Sequence, residues 1–535
     1  MKKYFFCVVL LISYFYSYPQ PDIQWQKSLG GSNGEWAKSI QQTTDGGYII
    51  AGQSFSNDID VSGNHGSYDY WIVKIDNVGN IKWQNSFGGT GLDQAFYIQQ
   101  TTDEGFIVAG STASNDGDIT GYIGGDDFWI VKLDSTGSIQ WRKILGGTLN
   151  EQPRSIKQTT DGGYIIAGYS DSNDSDVTGH HGSNLLYDYW VVKLNRNGEI
   201  QWQKSLGGSD NDEANSIDLT SDGGYIVAGL SYSNDGDVSG VHPGFNQPDY
   251  WIVKLDSTGM IQWQKSLGGT KFDQANYIQQ TIDGGYIVTG ISVSQDGQVT
   301  GNHSSQDIWI VKLFNSGAIQ WQKSLGGSKS ENTSSINQTS DGGFLVSGTS
   351  SSNDGDVTGH HGMTTTLDCW VIRLNESGGI LWQKSLGGTK YEIAYSLDLT
   401  NDAGFIIAGS TDSNDGDVTE NKGSSDYWIV KFSSLVNVNE IPNSISNFRI
   451  FPNPAIYQTS ISFNILTNQK VKIEIFDLEG KFIKEFIVPN HNFNTWNLIW
   501  DITNNYGKKV EDGIYFLTIS TDTKKETRKI VVLKN

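Results

Sequence analysis

Two interleaved series of tryptophans recur along most of this chain, and they constrain its fold more than any other feature. The first series is Trp25, Trp83, Trp141, Trp202, Trp263, Trp321 and Trp382, in segments such as Ile200-Gln-Trp-Gln-Lys-Ser-Leu. The second is Trp71, Trp129, Trp190, Trp251, Trp309, Trp370 and Trp428, in segments such as Asp249-Tyr-Trp-Ile-Val-Lys-Leu. Together they use 14 of the 17 tryptophans, so the aromatic content belongs to a repeat of some sixty residues. A period of that size implies stacked or radial units rather than a set of unrelated domains.

The spacings inside the repeat separate its rigid parts from its variable one. Each first-series Trp lies 20 residues before the Asp of an Asp-Gly-Gly-Tyr type turn (Asp45, Asp103, Asp161, Asp222, Asp283, Asp341, Asp402), and each second-series Trp lies 12 before the next first-series Trp. All length variation falls after the Asp-Gly turn. Each unit therefore reads as four short strands, A to D, with one adjustable loop between B and C, because β-branched and aromatic runs alternate with glycine-bearing turns. Runs such as Trp-Ile-Val-Lys-Leu lack strict alternation, as expected of sheets covered on both faces.

Seven such sheets around an axis make a seven-bladed β-propeller. The order of the pieces supports closure: the repeat region opens with a lone D strand (Ile23 to Leu29) and ends with a lone C strand (Tyr427 to Phe432). An open spiral leaves both edges unpaired. In a ring, the N-terminal strand completes the last blade. The repeats resemble the delta-sixty type found in secreted bacterial proteins, through Asp222-Gly-Gly-Tyr-Ile-Val-Ala-Gly229 and Trp251-Ile-Val-Lys-Leu-Asp256, over residues 22–435. That resemblance implies a fold and no defined activity.

Charge and the chain ends bear on partners and compartment. The 535 residues carry 37 Lys and Arg against 59 Asp and Glu, a net charge of −22, which argues against a nucleic-acid binder relying on phosphate neutralisation. Lys2 and Lys3 precede an apolar stretch from Tyr4 to Tyr16, the layout of a signal peptide over residues 1–18, and no later apolar run is long enough to span a bilayer. Removal of that segment leaves Cys369 as a lone thiol, so packing must hold the exported chain together.

After Leu435 the repeat stops. Residues 436–448, rich in Asn, Ser and Pro, read as a linker, and 449–535 read as a small antiparallel β-sandwich. Phe451-Pro452-Asn453-Pro454, Asp477-Leu-Glu-Gly480-Lys481, Trp500-Asp501, Gly507-Lys508, Gly513-Ile-Tyr515 and the terminal Lys529-Ile-Val-Val-Leu-Lys534 resemble the type A C-terminal sorting domain of the type IX secretion system. The resemblance implies export across the outer membrane with the type IX machinery as partner, and a secreted or cell-surface product.

Two acidic series stand out in the repeat. A carboxylate precedes strand A in every blade (Glu35, Asp93, Glu151, Asp212, Asp273, Glu331, Glu392). Because strand A lines the axis, these are expected either to ring one channel mouth, with Trp36, Phe96 and Tyr395 beside them, or to close each D-to-A turn. The B-to-C loops carry Ser-Asn-Asp-Gly-Asp motifs, with Asp116 and Asp118, Asp235 and Asp237, Asp354 and Asp356, and Asp415 and Asp417. They are candidate calcium ligands, since clustered carboxylates need a cation or hydrogen bonds; the competing reading is that they cap turns. Seven histidines (His65, His180, His181, His242, His303, His360, His361) share these loops, as transition-metal ligands or as packing residues. In the propeller topology the D-to-A and B-to-C connections emerge on one face.

Seven near-equivalent carboxylates do not supply the two differentiated groups that glycoside hydrolysis needs. The leading expectation is an exported, non-catalytic binding or adhesion propeller that contacts extracellular glycan or protein. The alternatives are a polysaccharide-cleaving enzyme acting at the acidic mouth and a structural surface protein. Function is expected where blades differ, at the aromatics beside the ring and at the insertions of blades three, four and six.

Overall fold

The computed structural model describes residues 20–183, 185–242, 247–303, 305–363, 365–435, 446–451, 453–455, 457–464, 472–487, 495–520 and 525–533. Every regular element among them is a β-strand. The chain divides into two compact units after Leu435.

The first unit contains seven four-stranded antiparallel sheets, six of them built from strands consecutive in sequence. The seventh is completed by Ile23–Leu29, which pairs with Asp426–Phe432, with Ser28 opposite Trp428 and Gln26 opposite Val430. The A strands (Glu35–Gln42, Asp93–Gln100, Glu151–Gln158, Asp212–Leu219, Asp273–Gln280, Glu331–Gln338, Glu392–Leu399) contact one another in succession and form the innermost layer, with the seventh returning to the first. The ring is closed. Strands B and C are buried along their whole length, which is why their sequences run apolar without alternation.

Both tryptophan series work between blades. The C-strand Trp is fully buried in all seven, and in four blades the residue preceding it is a Tyr that packs on the Trp of the next blade, such as Tyr70 on Trp129 with ring centroids 4.5 Å apart, Tyr189 on Trp251 at 4.6 Å and Tyr427 on Trp71 at 4.5 Å, with Phe128 on Trp190 as a variant. Each of these Tyr hydroxyls donates to the carbonyl of the Trp it covers, so burial leaves no orphan O–H. The D-strand Trp packs on the aromatic residue that opens strand B of the next blade, as Trp83 does on Phe106 and Trp25 on Tyr48. The Trp25–Tyr48 and Tyr427–Trp71 pairs join blade seven to blade one with the same chemistry as the interfaces of blades one and two, three and four, and four and five. Truncating one such Trp to Ala removes about 3–5 kcal/mol of packing.

The Asp of each Asp-Gly turn has a partner that sequence reasoning did not assign. It receives the ammonium of the C-strand Lys, as in Lys74–Asp45 at 2.9 Å and Lys254–Asp222 at 2.9 Å, with Arg373–Asp341 as the variant in blade six. The Lys also donates to a main-chain carbonyl, Ile75 O for Lys74. These buried cations are fully supplied with acceptors, and loss of the Asp would strand one.

The second unit holds two sheets, one of three strands (Ser446–Phe451, Thr459–Asn464, Thr495–Trp500) and one of four (Phe482–Ile487, Lys472–Asp477, Gly513–Ser520, Lys525–Val532). Ile461, Phe463, Ile473, Trp500, Leu517 and Ile530 are buried in a common core. The first strand begins at Ser446, inside the segment expected to be linker, because its Asn- and Ser-rich start is paired with Thr459–Asn464 and that ladder overrides the turn propensity.

One blade departs from the shared hydrogen-bond scheme. In blades one, three, four, five and six the C-strand Trp donates its indole N–H to a D-strand Gln, as Trp71 does to Gln84 at 2.8 Å, and in blade seven Trp428 donates to Gln26. Blade two has Arg142 at that position, which cannot accept, and the buried Trp129 Nε1 has no partner. An unsatisfied buried N–H costs about 1–3 kcal/mol. Arg142→Gln should therefore raise stability by about 1 kcal/mol in chemical or thermal unfolding. Arg142→Ala, which removes the same 3.6 Å contact to Asp118 without supplying an acceptor, should give no gain.

Candidate functional site

The acidic ring is enclosed, not open to a channel mouth. Glu35, Asp93, Glu151, Asp212, Asp273, Glu331 and Glu392 are all at most 1% exposed. Each sits in a hydrogen-bond set internal to the blades: Glu35 accepts from Gly31 N–H at 2.8 Å and from the Ser54 hydroxyl at 2.8 Å, and Glu151 accepts from Gly147 N–H at 2.7 Å and from Ser170 at 2.6 Å. The side chain turns back to cap the D-to-A turn instead of pointing along the axis. A substrate in the channel cannot reach it, so the structure removes the geometric basis for hydrolysis by this ring. Trp36 is half-buried against Tyr68, with centroids 5.4 Å apart.

The B-to-C loop aspartates hold turns. Asp116, Asp235, Asp354 and Asp415 accept from the N–H of Thr90, Ser209, Ser328 and Thr389 at 2.7–2.8 Å. Asp118, Asp237, Asp356 and Asp417 face the N–H of Gly88, Gly207, Gly326 and Gly387 at 3.2–3.4 Å. These bonds tie each B-to-C loop to the preceding D-to-A turn and so place the two connections on one face. Five of the seven histidines bind an aspartate that opens strand C, such as His65 Nδ1 to Asp69 at 2.7 Å and His242 Nδ1 to Asp249 at 2.7 Å.

The axis is lined by a different set of residues, presented by a bulge. In every blade the A–B ladder skips one residue, so that Ala37 pairs with Gly52 and Ser39 with Ala51 while Lys38 pairs with neither. The skipped residues are Lys38, Phe96, Arg154, Asn215, Asn276, Ser334 and Tyr395. A bulge re-aims the extra side chain, and all seven converge on one axial cavity of about 130 Å³. A contiguous pocket of about 300 Å³ is lined by Arg154, Asn215, Gln274, Asn276, Asn332 and Tyr395, among others. No two adjacent blades match at the bulge except blades four and five, both Asn. This is where a sevenfold scaffold becomes asymmetric.

The pocket combines cations, aromatic faces and amides. Lys38 Nζ lies 3.5 Å from the Tyr395 ring centroid, and the Arg154 guanidinium lies 5.2 Å from Phe96 and 5.3 Å from Tyr169. Burial, reinforced by the charge of Arg154, lowers Lys38 to about 8. Among the described residues neither cation has a carboxylate within salt-bridge distance, and Arg154 Nε is buried without a partner. The amides are positioned by one another: Gln274 donates to Asn276 Oδ1 at 3.0 Å, and Asn276 donates to Asn332 Oδ1 at 3.1 Å and to Thr333 O at 2.8 Å. Sequence reasoning found Phe96 and Tyr395 but missed Lys38, Arg154, Asn215 and Asn276. Their common signal was the variable position three residues after an invariant carboxylate.

The sorting-motif residues are structural within the second unit. Asn453 accepts from Val531 N–H at 2.8 Å and donates to Lys529 O at 2.9 Å, tying the motif to the last strand. Gly480 takes a positive φ of 82° in the turn after Asp477, which a side chain would strain. Gly513 opens the strand in which Tyr515 packs on Trp500 with centroids 5.6 Å apart and donates to Glu511 O. Pro452, Lys534 and the expected signal segment lie outside the described residues.

The buried carboxylates give the protein a distinctive pH response. Burial pushes Asp127 and Asp212 up to about 7, and Asp69, Asp273 and Asp426 up to about 6. These folded-state values exceed the unfolded one of about 3.9, so the folded chain binds extra protons in between and stability rises as pH falls from about 7 towards about 4. The turn aspartates act oppositely. Burial opposes their charge, but hydrogen bonds from a Thr hydroxyl, the buried Lys and a Gly N–H prevail and hold Asp45, Asp161 and Asp222 at about 2. Their contribution is lost as pH falls from about 4 through 2. Thermal unfolding should give a midpoint highest near about pH 4 and falling on both sides. Asp212→Asn should flatten the alkaline limb.

Residues 449–533 match the family described as the secretion system C-terminal sorting domain. A curated relative, regulatory protein FlaEY of Caulobacter vibrioides, is 30% identical over 149 residues, covering 27% of this chain and 15% of that protein. The chain thus spans a small part of that relative's length. Among solved structures, PorZ of Porphyromonas gingivalis, described as an essential surface component of the type-IX secretion system, shares 10% identity over 95% of this chain and all of its own, with a TM-score of 0.16. Puromycin hydrolase shares 12% identity over 81% of this chain and 59% of its own, with a TM-score of 0.42. An arabinoxylan arabinofuranohydrolase of Bacillus subtilis shares 12% over 70% and 93%, with a TM-score of 0.25. The fold therefore rests on the strand pairing above, and the sorting domain directs the chain by type IX export to the cell surface or the extracellular space.

Proposed function

We propose that the propeller is a non-catalytic binding module, displayed or released outside the cell, whose ligand enters the axial pocket and is held by the seven bulge residues. The observation that carries this reading is the distribution of difference. The positions that close turns and pack blades repeat almost unchanged, while the positions aimed into the axis are Lys, Phe, Arg, Asn, Asn, Ser and Tyr. A scaffold alone gains nothing from two cations in its axis without carboxylate partners. A ligand that is rich in oxygen and presents a planar or hydroxylated face satisfies them, and aromatic faces beside amide donors suit a sugar residue of an extracellular glycan.

The pocket is small, so it fits a chain end or a projecting group rather than the flat side of a polymer. Its lining offers hydrogen-bond donors, acceptors and stacking faces, and Asp, Glu, His and Cys are not among the lining residues.

Two measurements test this function. Screening the full-length protein against glycans and then titrating the best binder should show that Arg154→Ala, Asn276→Ala and Tyr395→Ala each weaken binding roughly ten- to a hundredfold. Asp116→Asn, on the loop, should leave binding unchanged. Equal affinities in all four variants would move the site away from the axis. In cells, deleting residues 449–535 should leave the propeller behind the outer membrane, as judged by fractionation, while its melting behaviour stays intact.

A further inference from the structure

The cations that the repeat buries are matched to carboxylates. Each C-strand cation, from Lys74 to Lys431, pairs with a turn aspartate at 2.6–3.0 Å. Lys157, on the A strand of blade three, follows the same rule. Burial opposes its charge, but Tyr97, Tyr277, Asp218 and Asp398 prevail and hold its ammonium above the usual lysine range, and Nζ donates to the Tyr97 hydroxyl at 2.5 Å.

Lys38 and Arg154 break the rule, and both line the axial cavity. The Lys38 ammonium lies over the Tyr395 ring and has no hydrogen-bond acceptor among the described residues. The Arg154 guanidinium has one acceptor, the Tyr169 hydroxyl 3.0 Å from Nη2, while its Nε is buried with none. Glu213 senses the Arg154 charge without forming an ion pair with it. The two cations also sense each other: Lys38 is lowered first by burial and then by the charge of Arg154. Two like charges therefore share one space that the blades leave without a counter-charge.

The rest of the lining suits a hydroxylated ring. Phe96 and Tyr395 set aromatic faces beside the cations, and Asn215 and Asn276 bring amides. Ser39, Ser216 and Ser396 line the same cavity, and each hydroxyl oxygen accepts a backbone N–H of the next blade at 3.2 Å while keeping its own proton to donate. A carboxylate is planar and matches a guanidinium at two points.

Resting on the reading of this pocket as the ligand site, we propose that the ligand is an acidic sugar, whose carboxylate lies between Lys38 and Arg154 while its ring packs on the aromatic faces of Phe96 and Tyr395. A neutral sugar leaves both cations uncompensated. A bare inorganic anion leaves the aromatic faces and the amides unused.

Calorimetric titration of the full-length protein at neutral pH with methyl glucuronide, galacturonide and mannuronide, each beside its neutral hexoside, separates these cases. At least one uronide should bind about tenfold or more tightly than its neutral counterpart, with an advantage that shrinks as salt is raised. Lys38→Met and Arg154→Gln should each bring the two members of that pair to within about threefold of one another. Both variants should melt at or above the parent, since each loses a cation without an internal partner, and so report an intact ring. The proposal is overturned if no uronide outbinds its neutral counterpart, if the preference survives in both variants, or if inorganic sulfate or phosphate binds as tightly as the best uronide. Neutral glycosides that bind equally well, and are lost in Tyr395→Ala, would overturn the acidic ligand and keep the axial binding site; a protein that takes up no glycan, acidic or neutral, would lose both.

Discussion

Everything in the propeller depends on one strand crossing from the beginning of the chain to its last blade. Ile23–Leu29 supplies the outer strand of blade seven, and its Gln26 accepts the indole N–H of Trp428 just as an in-blade Gln does elsewhere. The A strand of that blade then packs on the A strand of blade one, where Asp398 accepts from Gln42 N–H at 2.8 Å. Without that strand, Asp426–Phe432 would be an exposed edge presenting Tyr427, Trp428, Ile429, Val430 and Phe432. Closure gives all seven sheets their full four strands, and it couples the first blade to the last by contacts more than 350 residues apart. The bulge residues meet at the axis only because the ring is shut.

The interior is polar to an unusual degree for a β-protein, and the repeat explains how it tolerates this. Each blade buries a ring carboxylate, a strand-C aspartate and a C-strand cation, so any arrangement that left one unsatisfied would be penalised sevenfold. The cation is always matched to the turn aspartate. The ring carboxylate is always matched to a glycine N–H and a Ser or Thr hydroxyl. The strand-C aspartate keeps an unpartnered Oδ1 in every blade, as the ring carboxylates Asp212 and Asp273 also do, and at its other oxygen the blades resort to local solutions: histidine five times, lysine once, and at Asp127 neither.

The fold was legible because its determinants are periodic. Tryptophans and Asp-Gly turns at fixed separations disclose strand number, the position of the variable loop and the incomplete blade at each end, and the motifs from Phe451 to Lys534 mark the sorting domain. The burial of the ring carboxylates was not legible. A carboxylate at the start of an axial strand reads equally as channel-lining or turn-capping, and only the backbone direction at Gly31 and its equivalents decides between them. Likewise, a one-residue bulge leaves no mark in a strand-like run such as Glu-Trp-Ala-Lys-Ser-Ile, so nothing in the run sets Lys38 or Arg154 apart.

A symmetric scaffold makes departures from symmetry informative in a way that a unique fold does not. Seven copies of one local environment act as internal controls for each other: a side chain that differs where the backbone does not must answer to something other than the fold. Arg142 differs and leaves an indole unsatisfied, which marks it as a defect in packing. Ile123 differs and leaves Asp127 capped by backbone N–H groups alone, which marks a charge pairing lost from one blade. The bulge series differs in nearly every blade and leaves a pocket with oriented donors, which marks a surface shaped for a ligand. The three cases are distinguished by what is left unpaired, and the unpaired group in each names the chemistry that would complete it.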